Sequence, residues 1–327
     1  STASVDPAAA AQEQERQRRQ MEVQTSPERS PRFDDAFLLG EERRHSSREM
    51  NDSMASRTSR QSRSSQHSED HRILGKPCKT WVDVKEALES DSAKQREQGY
   101  LTIRDWCENV EGQDKGMAVL GGELILGILE DNFDDRGLVV TATLAIFRMM
   151  EQNIRNQGKF AFHNGITTFL EVMKRHGGES PDAAEFSMLC LEQLCGSEEC
   201  GEELADKGGL KQVAAMLRQH QEDPGVQEAG CSLIGVLAGH PSLRDNLLGA
   251  KIFHLVLAAL QRHGEDSKVV EATLRVVEGA SNSVQMLRTL RGLDMPGLLQ
   301  EVFDHHSGDR QLQQMILESL EALKGTE

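Results

Sequence analysis

The chain has 327 residues, 37% of them hydrophobic and 28% charged, with a formal net charge of −16. Its apolar runs stay short of the roughly 18 residues that a membrane-spanning helix needs. So acidic a surface repels nucleic acid and anionic lipid and favours a basic partner segment.

The composition divides the chain in two. Residues 1–77 are rich in Ser, Gln, Arg and Glu and carry 13 acidic and 13 basic residues, so the remaining 40 acidic and 24 basic residues put the whole net charge in 78–327. The opening STASVDPAAAAQ lacks a basic region followed by an apolar core and does not read as a secretory signal. The stretch NDSMASRTSRQSRSSQHSED has almost nothing to bury and cannot offset a backbone ordering cost of about 1–2 kcal/mol per residue. A disordered or extended low-complexity tail is therefore expected over 1–77. One apolar island interrupts it, PRFDDAFLLG, in which Phe33, Phe37, Leu38 and Leu39 form a candidate anchor for a groove. Ser26 and Ser30 each precede a proline, and Ser46 and Ser47 follow Arg43 and Arg44, which makes these four candidate phosphorylation sites. A phosphate at any of them adds about −1.5 to −2 charges.

From residue 78 onward a period of about 43 residues governs the sequence. His176, His220, His263 and His306 close similar segments at spacings of 44, 43 and 43. Ala142, Ala184, Ala229 and Ala272 repeat inside the helices that follow, and Leu124, Ile166, Leu210, Ile252 and Leu293 open the helices before. Each unit splits into three helical pieces, as in EECGEELADKG, GLKQVAAMLRQHQ and PGVQEAGCSLIGVLAG. In these the apolar residues recur at helical spacing. Pro181 and Pro224 mark starts of third helices, where a missing N–H costs nothing. Gly208, Gly209, Gly249 and Gly292 punctuate the joins between first and second helices. Five pairs of second and third helices are predicted, over 122–150, 165–195, 209–239, 251–280 and 294–323. A partial unit comes before them, with Trp81, Val82, Val84 and Leu88 as an end cap and Tyr100, Ile103 and Trp106 on the next helix. No single trio can bury its apolar stripe, so neighbouring units must cover one another. Small residues such as Gly230, Ala272 and Ala280 allow the close approach.

The unit DKGGLKQVAAMLRQHQEDPGVQEAGCSLIGVLAGHPSLRDNLLGA resembles the armadillo repeat, with HEAT-like repeats as relatives. The resemblance covers about 78–323. It implies an all-α, right-handed superhelical solenoid of about five to six three-helix repeats over 78–327. In that family the third helices line a concave groove that takes extended or helical peptides. The Trp and Asn ladders by which the family's nuclear-import receptors hold a peptide backbone are absent here. Their positions fall on Thr102, Ala145, Leu189, Ser232, Arg275 and Glu318, and on Trp106, Met149, Gln193, Val236, Gly279 and Ala322. From this register Trp106, Met149, Gln193, Ser232, Val236 and Arg275 are the candidate partner-groove residues, unless a register error places some of them in the core.

Sites of chemistry find little support. Cys190, Cys195 and Cys200 stand five apart, so successive cysteines on one helix diverge by about 140°. They read as buried thiols, although Cys200 lies past the helix end and one pair can still meet. The scattered cysteines suit a reducing compartment, cytoplasmic or cytoskeletal, with an organellar matrix as the alternative. The four histidines lie one repeat apart, too far to share one zinc, and suit helix C-termini, where a ring N–H can reach an open carbonyl. DNFDDRG lacks the spacing of a calcium loop. No phosphate-binding glycine loop, nucleophile elbow or HExxH is present, and no cofactor or metal is expected. The favoured function is a non-enzymatic scaffold or adaptor within a larger protein assembly, a cytoskeletal one being preferred, with a basic or amphipathic segment as partner. The alternatives are a regulatory peptide receptor whose groove holds its own tail, and an enzyme whose remote residues no local motif reveals.

Overall fold

The computed structural model describes residues 77–324, and every regular element among them is helical. A leading pair, α1 (Trp81–Leu88) and α2 (Ala93–Trp106), precedes five trios. They are α3 (Val110–Leu120), α4 (Gly122–Asp131) and α5 (Arg136–Met150); α6 (Ile154–Phe162), α7 (Gly165–Val172) and α8 (Pro181–Leu194); and α9 (Glu198–Asp206), α10 (Gly209–Gln219) and α11 (Pro224–Ala238). Then follow α12 (Arg244–Ala250), α13 (Phe253–His263) and α14 (Ser267–Ala280), and α15 (Val284–Gly292), α16 (Met295–His305) and α17 (Arg310–Lys324). The expected solenoid of three-helix repeats is thus observed. The predicted tail, its anchor at Phe33, Phe37, Leu38 and Leu39, and the serines 26, 30, 46 and 47 lie outside the described residues.

Local chemistry repeats with the helices. An N-cap side chain opens each third helix of a trio: Asp135, Ser180, Asp223 and Asp266 accept from Leu138, Ala183, Gly225 and Lys268 at 2.9–3.2 Å, and Asp309 accepts from Leu312 at 3.0 Å. Asn109, Asn153, Ser197 and Ser283 do the same for four first helices. Each such cap contributes about 1 kcal/mol by satisfying an N–H that the helix leaves open. The chain enters every second helix through a left-handed residue, namely Gly121, Asn164, Gly208, Lys251 and Asp294, with φ of 73°, 65°, 76°, 52° and 65°. This corrects the reading of Gly249 and Gly292 as joins. They end first helices, and the conformational demand falls two residues later on Lys251 and Asp294.

Third helices start at 136, 181, 224, 267 and 310, so one interval is 45 residues and the rest are 43. The longer interval coincides with the π-helical turn Met173–Gly177 that ends the second helix of its repeat. A π-turn absorbs extra residues without disturbing the flanking helix.

The third helices α2, α5, α8, α11, α14 and α17 stack in chain order. The marker alanines Ala142, Ala184, Ala229 and Ala272 are all buried. The closest approach joins α11 to α14. A Cβ on Gly279 would lie 2.3 Å from the Gly235 oxygen, and one on Gly235 would lie 3.0 Å from the Arg275 backbone. Gly230 instead faces its own repeat, against Leu217 of α10. At the leading end Val84, Leu88, Tyr100 and Ile103 are buried. The Tyr100 hydroxyl donates to the Ile125 carbonyl of α4 at 2.9 Å, and Trp81 and Trp106 meet edge to face at 5.1 Å. Val82 does not join this cap, being 58% exposed on the opposite side of its helical turn.

The repeated histidines bind the units together. His220, His263 and His306 place Nε2 2.6, 2.8 and 2.7 Å from the carbonyl oxygens of Gly177, Gln221 and Gly264, and His176 reaches the Phe133 carbonyl. A carbonyl only accepts, so each ring donates from Nε2. The expectation of a ring N–H meeting an open carbonyl holds. The carbonyl belongs to the preceding repeat, 42 or 43 residues earlier.

Candidate partner groove on the third-helix face

The third helices of three consecutive repeats carry their polar groups in one register. Counting from the first residue of α8, α11 and α14, position five is Glu185, Glu228 and Glu271, and position nine is Leu189, Ser232 and Arg275. Position twelve is Glu192, Gly235 and Glu278. Residues four and seven apart share a helix face, so these positions form one stripe per helix and one row per position across the repeats. Glu185 and Glu271 are half-buried and Glu228 is 7% exposed. The result is a row of three glutamates, one per repeat.

A bridge crosses this face. Arg275 Nη1 of α14 lies 3.2 Å from the Ser232 hydroxyl of α11 and 3.5 Å from Glu192 Oε1 of α8, 83 residues away in sequence. The Glu192 side chain is 6% exposed and that of Arg275 is 21% exposed. Glu192 Oε2 is buried with no hydrogen-bond partner. Helix α11 is largely covered: Gly225 through Gly235 are all buried, between α8 on one side and α14 on the other, and of its polar side chains Glu228 keeps 7% exposure while Ser232 keeps none.

Two of the six groove residues expected from sequence are misplaced. Met149 and Ser232 are fully buried, so no partner can touch them. Met149 sits in the core where α5 meets its neighbours, and Ser232 lies beneath Arg275. Gln193 is half-buried and accepts from Gln157 Nε2 at 2.8 Å, while Gln157 also donates to the Met150 carbonyl. Val236 is half-buried beyond the enclosed part of α11, and Trp106 is half-buried against Trp81 at the far end of the row. Of the six, Ser232 and Arg275 are hydrogen-bonded to each other. The glutamate row and Glu192 were missed. The signal for the row was present, as glutamates at the fifth position of three successive third helices, 43 residues apart; Glu192 has no such recurrence, since Gly235 stands at its position in the next repeat.

Elsewhere the described residues offer little reactive chemistry. All six cysteines are free, and five are buried. Burial pushes the Cys200 thiol up to about 11 and those of Cys107 and Cys231 up to about 12. Cys190 and Cys195 are pushed well above the ordinary thiol value by the same desolvation, with nearby Cys200 adding to the effect on Cys195. No group of three His, Cys, Asp or Glu among the described residues is arranged to hold a metal ion. No helix among them is long and apolar enough to cross a membrane.

Solved structures resemble this arrangement. A designed armadillo repeat protein superimposes with a TM-score of 0.64 at 13% identity, covering 75% of this chain and 100% of that one. The fold is armadillo-like. A second designed armadillo repeat protein, solved in complex with the peptide (KR)4, matches with a TM-score of 0.63 at 14% identity over 75% of this chain and all of that one. A chain from a structure concerned with the interaction between cadherin and beta-catenin gives 0.62 at 12% identity, covering 74% of this chain and 44% of that one. No family model matches the sequence, and no curated protein does.

Proposed function

We propose that this protein is a non-enzymatic interaction module that takes a basic, extended segment of a partner protein along α8, α11 and α14, as a scaffold or adaptor subunit of a larger assembly. The row Glu185, Glu228 and Glu271 carries this reading. Packed helices lie about 8–10 Å apart, and a polyproline-II-like segment advances about 9.3 Å over three residues while returning to the same face. A cation at every third residue of such a segment therefore meets one glutamate per repeat. The designed relative that holds (KR)4 supports a cationic occupant for this kind of face.

The test is fluorescence anisotropy of the full chain with a seven-residue probe bearing arginine at its first, fourth and seventh positions and serine and glutamine between. The variant E185Q/E228Q/E271Q is expected to bind at least about tenfold more weakly, a loss of about 1.4 kcal/mol, and the wild type to weaken steeply with salt. Equal binding by the two proteins rejects the reading.

One observation favours a second reading, in which the chain's own tail is the occupant: Arg57, Arg60 and Arg63 stand three residues apart in SRTSRQSRSS. On that reading the full-length variant R57Q/R60Q/R63Q binds the probe more tightly than wild type. On the first reading the two bind alike.

A further inference from the structure

Resting on the groove reading, we infer that Arg275 is an internal stand-in for a ligand's arginine. It covers Glu192 as a latch, and an incoming guanidinium displaces it to take that carboxylate as an anchor beside the glutamate row.

Three observations converge on Glu192. Its side chain is 6% exposed and its Oε2 has no hydrogen-bond partner. A buried carboxylate oxygen without a donor is destabilising, so Glu192 has room for a donor that the folded chain does not supply. Second, the bond it does receive is poor. Arg275 approaches at 3.5 Å, whereas charge-assisted N–H to carboxylate bonds close to about 2.7–2.9 Å and favour a two-pronged geometry. Third, a single nitrogen, Nη1, serves both Glu192 and the Ser232 hydroxyl, so the guanidinium fork is not spent on the carboxylate.

Placement completes the case. Glu192 lies seven residues beyond Glu185 on α8, which puts both on one helix face. A cationic segment laid along the row reaches it from the same side. Arg275 is 21% exposed, so its head can swing outward into water as a ligand arginine enters. A ligand guanidinium with both prongs on Glu192 satisfies Oε1 and Oε2 together, which Arg275 fails to do from α14. The ligand class is therefore a peptide with an arginine beyond the three that match the row. Lysine, a point donor, gains less.

The experiment uses the full chain and a ten-residue probe with arginine at positions one, four, seven and ten, read by fluorescence anisotropy. R275Q is expected to bind about tenfold more tightly than wild type. K211Q makes the same charge change at an exposed site on α10 and is expected to move affinity less than about twofold. E192Q in the R275Q background is expected to abolish the gain. Should R275Q fail to fold, as judged by its thermal melt, S232A removes one of the two contacts holding Nη1 and is expected to give a gain of about threefold. The inference is overturned if R275Q (or S232A in its place) binds no better than K211Q, or if E192Q leaves the gain intact. If E185Q/E228Q/E271Q loses binding while R275Q gains nothing, the groove reading stands and the latch alone falls. If no protein binds either probe, both fall.

Discussion

At the scale of single residues, burial rather than partnership controls the chemistry. The thiols illustrate this. Cys107, Cys200 and Cys231 are desolvated, which holds them neutral up to about 11–12 against an ordinary value of 9.0. Below pH 9 the folded and unfolded chains keep these protons alike. Above it the unfolded chain releases protons that the folded chain retains, so the folded state binds more of them and stability falls as pH rises. The urea midpoint is expected to drop between about pH 9 and pH 11, and replacing Cys231 with Ala is expected to reduce the drop. A flat midpoint across that range contradicts the assignment. In the native protein Ellman's reagent is expected to modify Cys78 alone, the one thiol that is not buried. Residue identity revealed six free thiols as a fair expectation. Which of them water reaches depended on neighbours that composition does not reveal.

At the scale of helices, the sequence was legible because each rule is local. Caps, prolines and apolar spacing act within one or two turns, so helix existence and order followed directly. Contacts between helices were less legible. Gly230 and Gly279 look equivalent as small residues in third helices, yet they differ in what an added methyl would meet. At Gly230 it meets the Leu217 side chain at 2.5 Å, which a rotamer change can relieve. At Gly279 it meets the Gly235 carbonyl at 2.3 Å, and backbone can yield only by separating α11 from α14. Gly279→Ala is therefore expected to destabilise by about 2–3 kcal/mol and Gly230→Ala by less, in the overpacking range of about 1–3 kcal/mol. Chemical denaturation of the two variants decides the order, and the reverse ranking refutes the packing argument.

At the scale of the molecule, cohesion passes from each repeat to the next. The histidine row ties every second-to-third-helix turn to the turn before it, and Glu198 extends the pattern by accepting from the backbone and hydroxyl of Ser242 at 3.0 and 2.7 Å. Stability in such a stack is a sum of unit and nearest-neighbour terms. Replacing His220, His263 and His306 with Ala removes one inter-repeat bond each, at about 1 kcal/mol apiece. The triple variant is expected to unfold at lower urea and over a broader range, as coupling between units weakens. A transition as sharp as wild type, at the same midpoint, shows that the rings contribute no coupling. Arg275 departs from nearest-neighbour contact, since it reaches a carboxylate two repeats away.

The sequence by itself determined the period, the helical trios, the acidic character of the solenoid and the histidine markers. Each of these is set by side chains within a turn or by recurrence along the chain. Only the tertiary structure decided which third-helix positions face solvent, that Met149 and Ser232 are enclosed, and that Arg275 stands over Glu192. A helical period specifies the face a residue occupies. What covers that face comes from residues 43 or 83 positions away, and their approach depends on how closely the backbones pack.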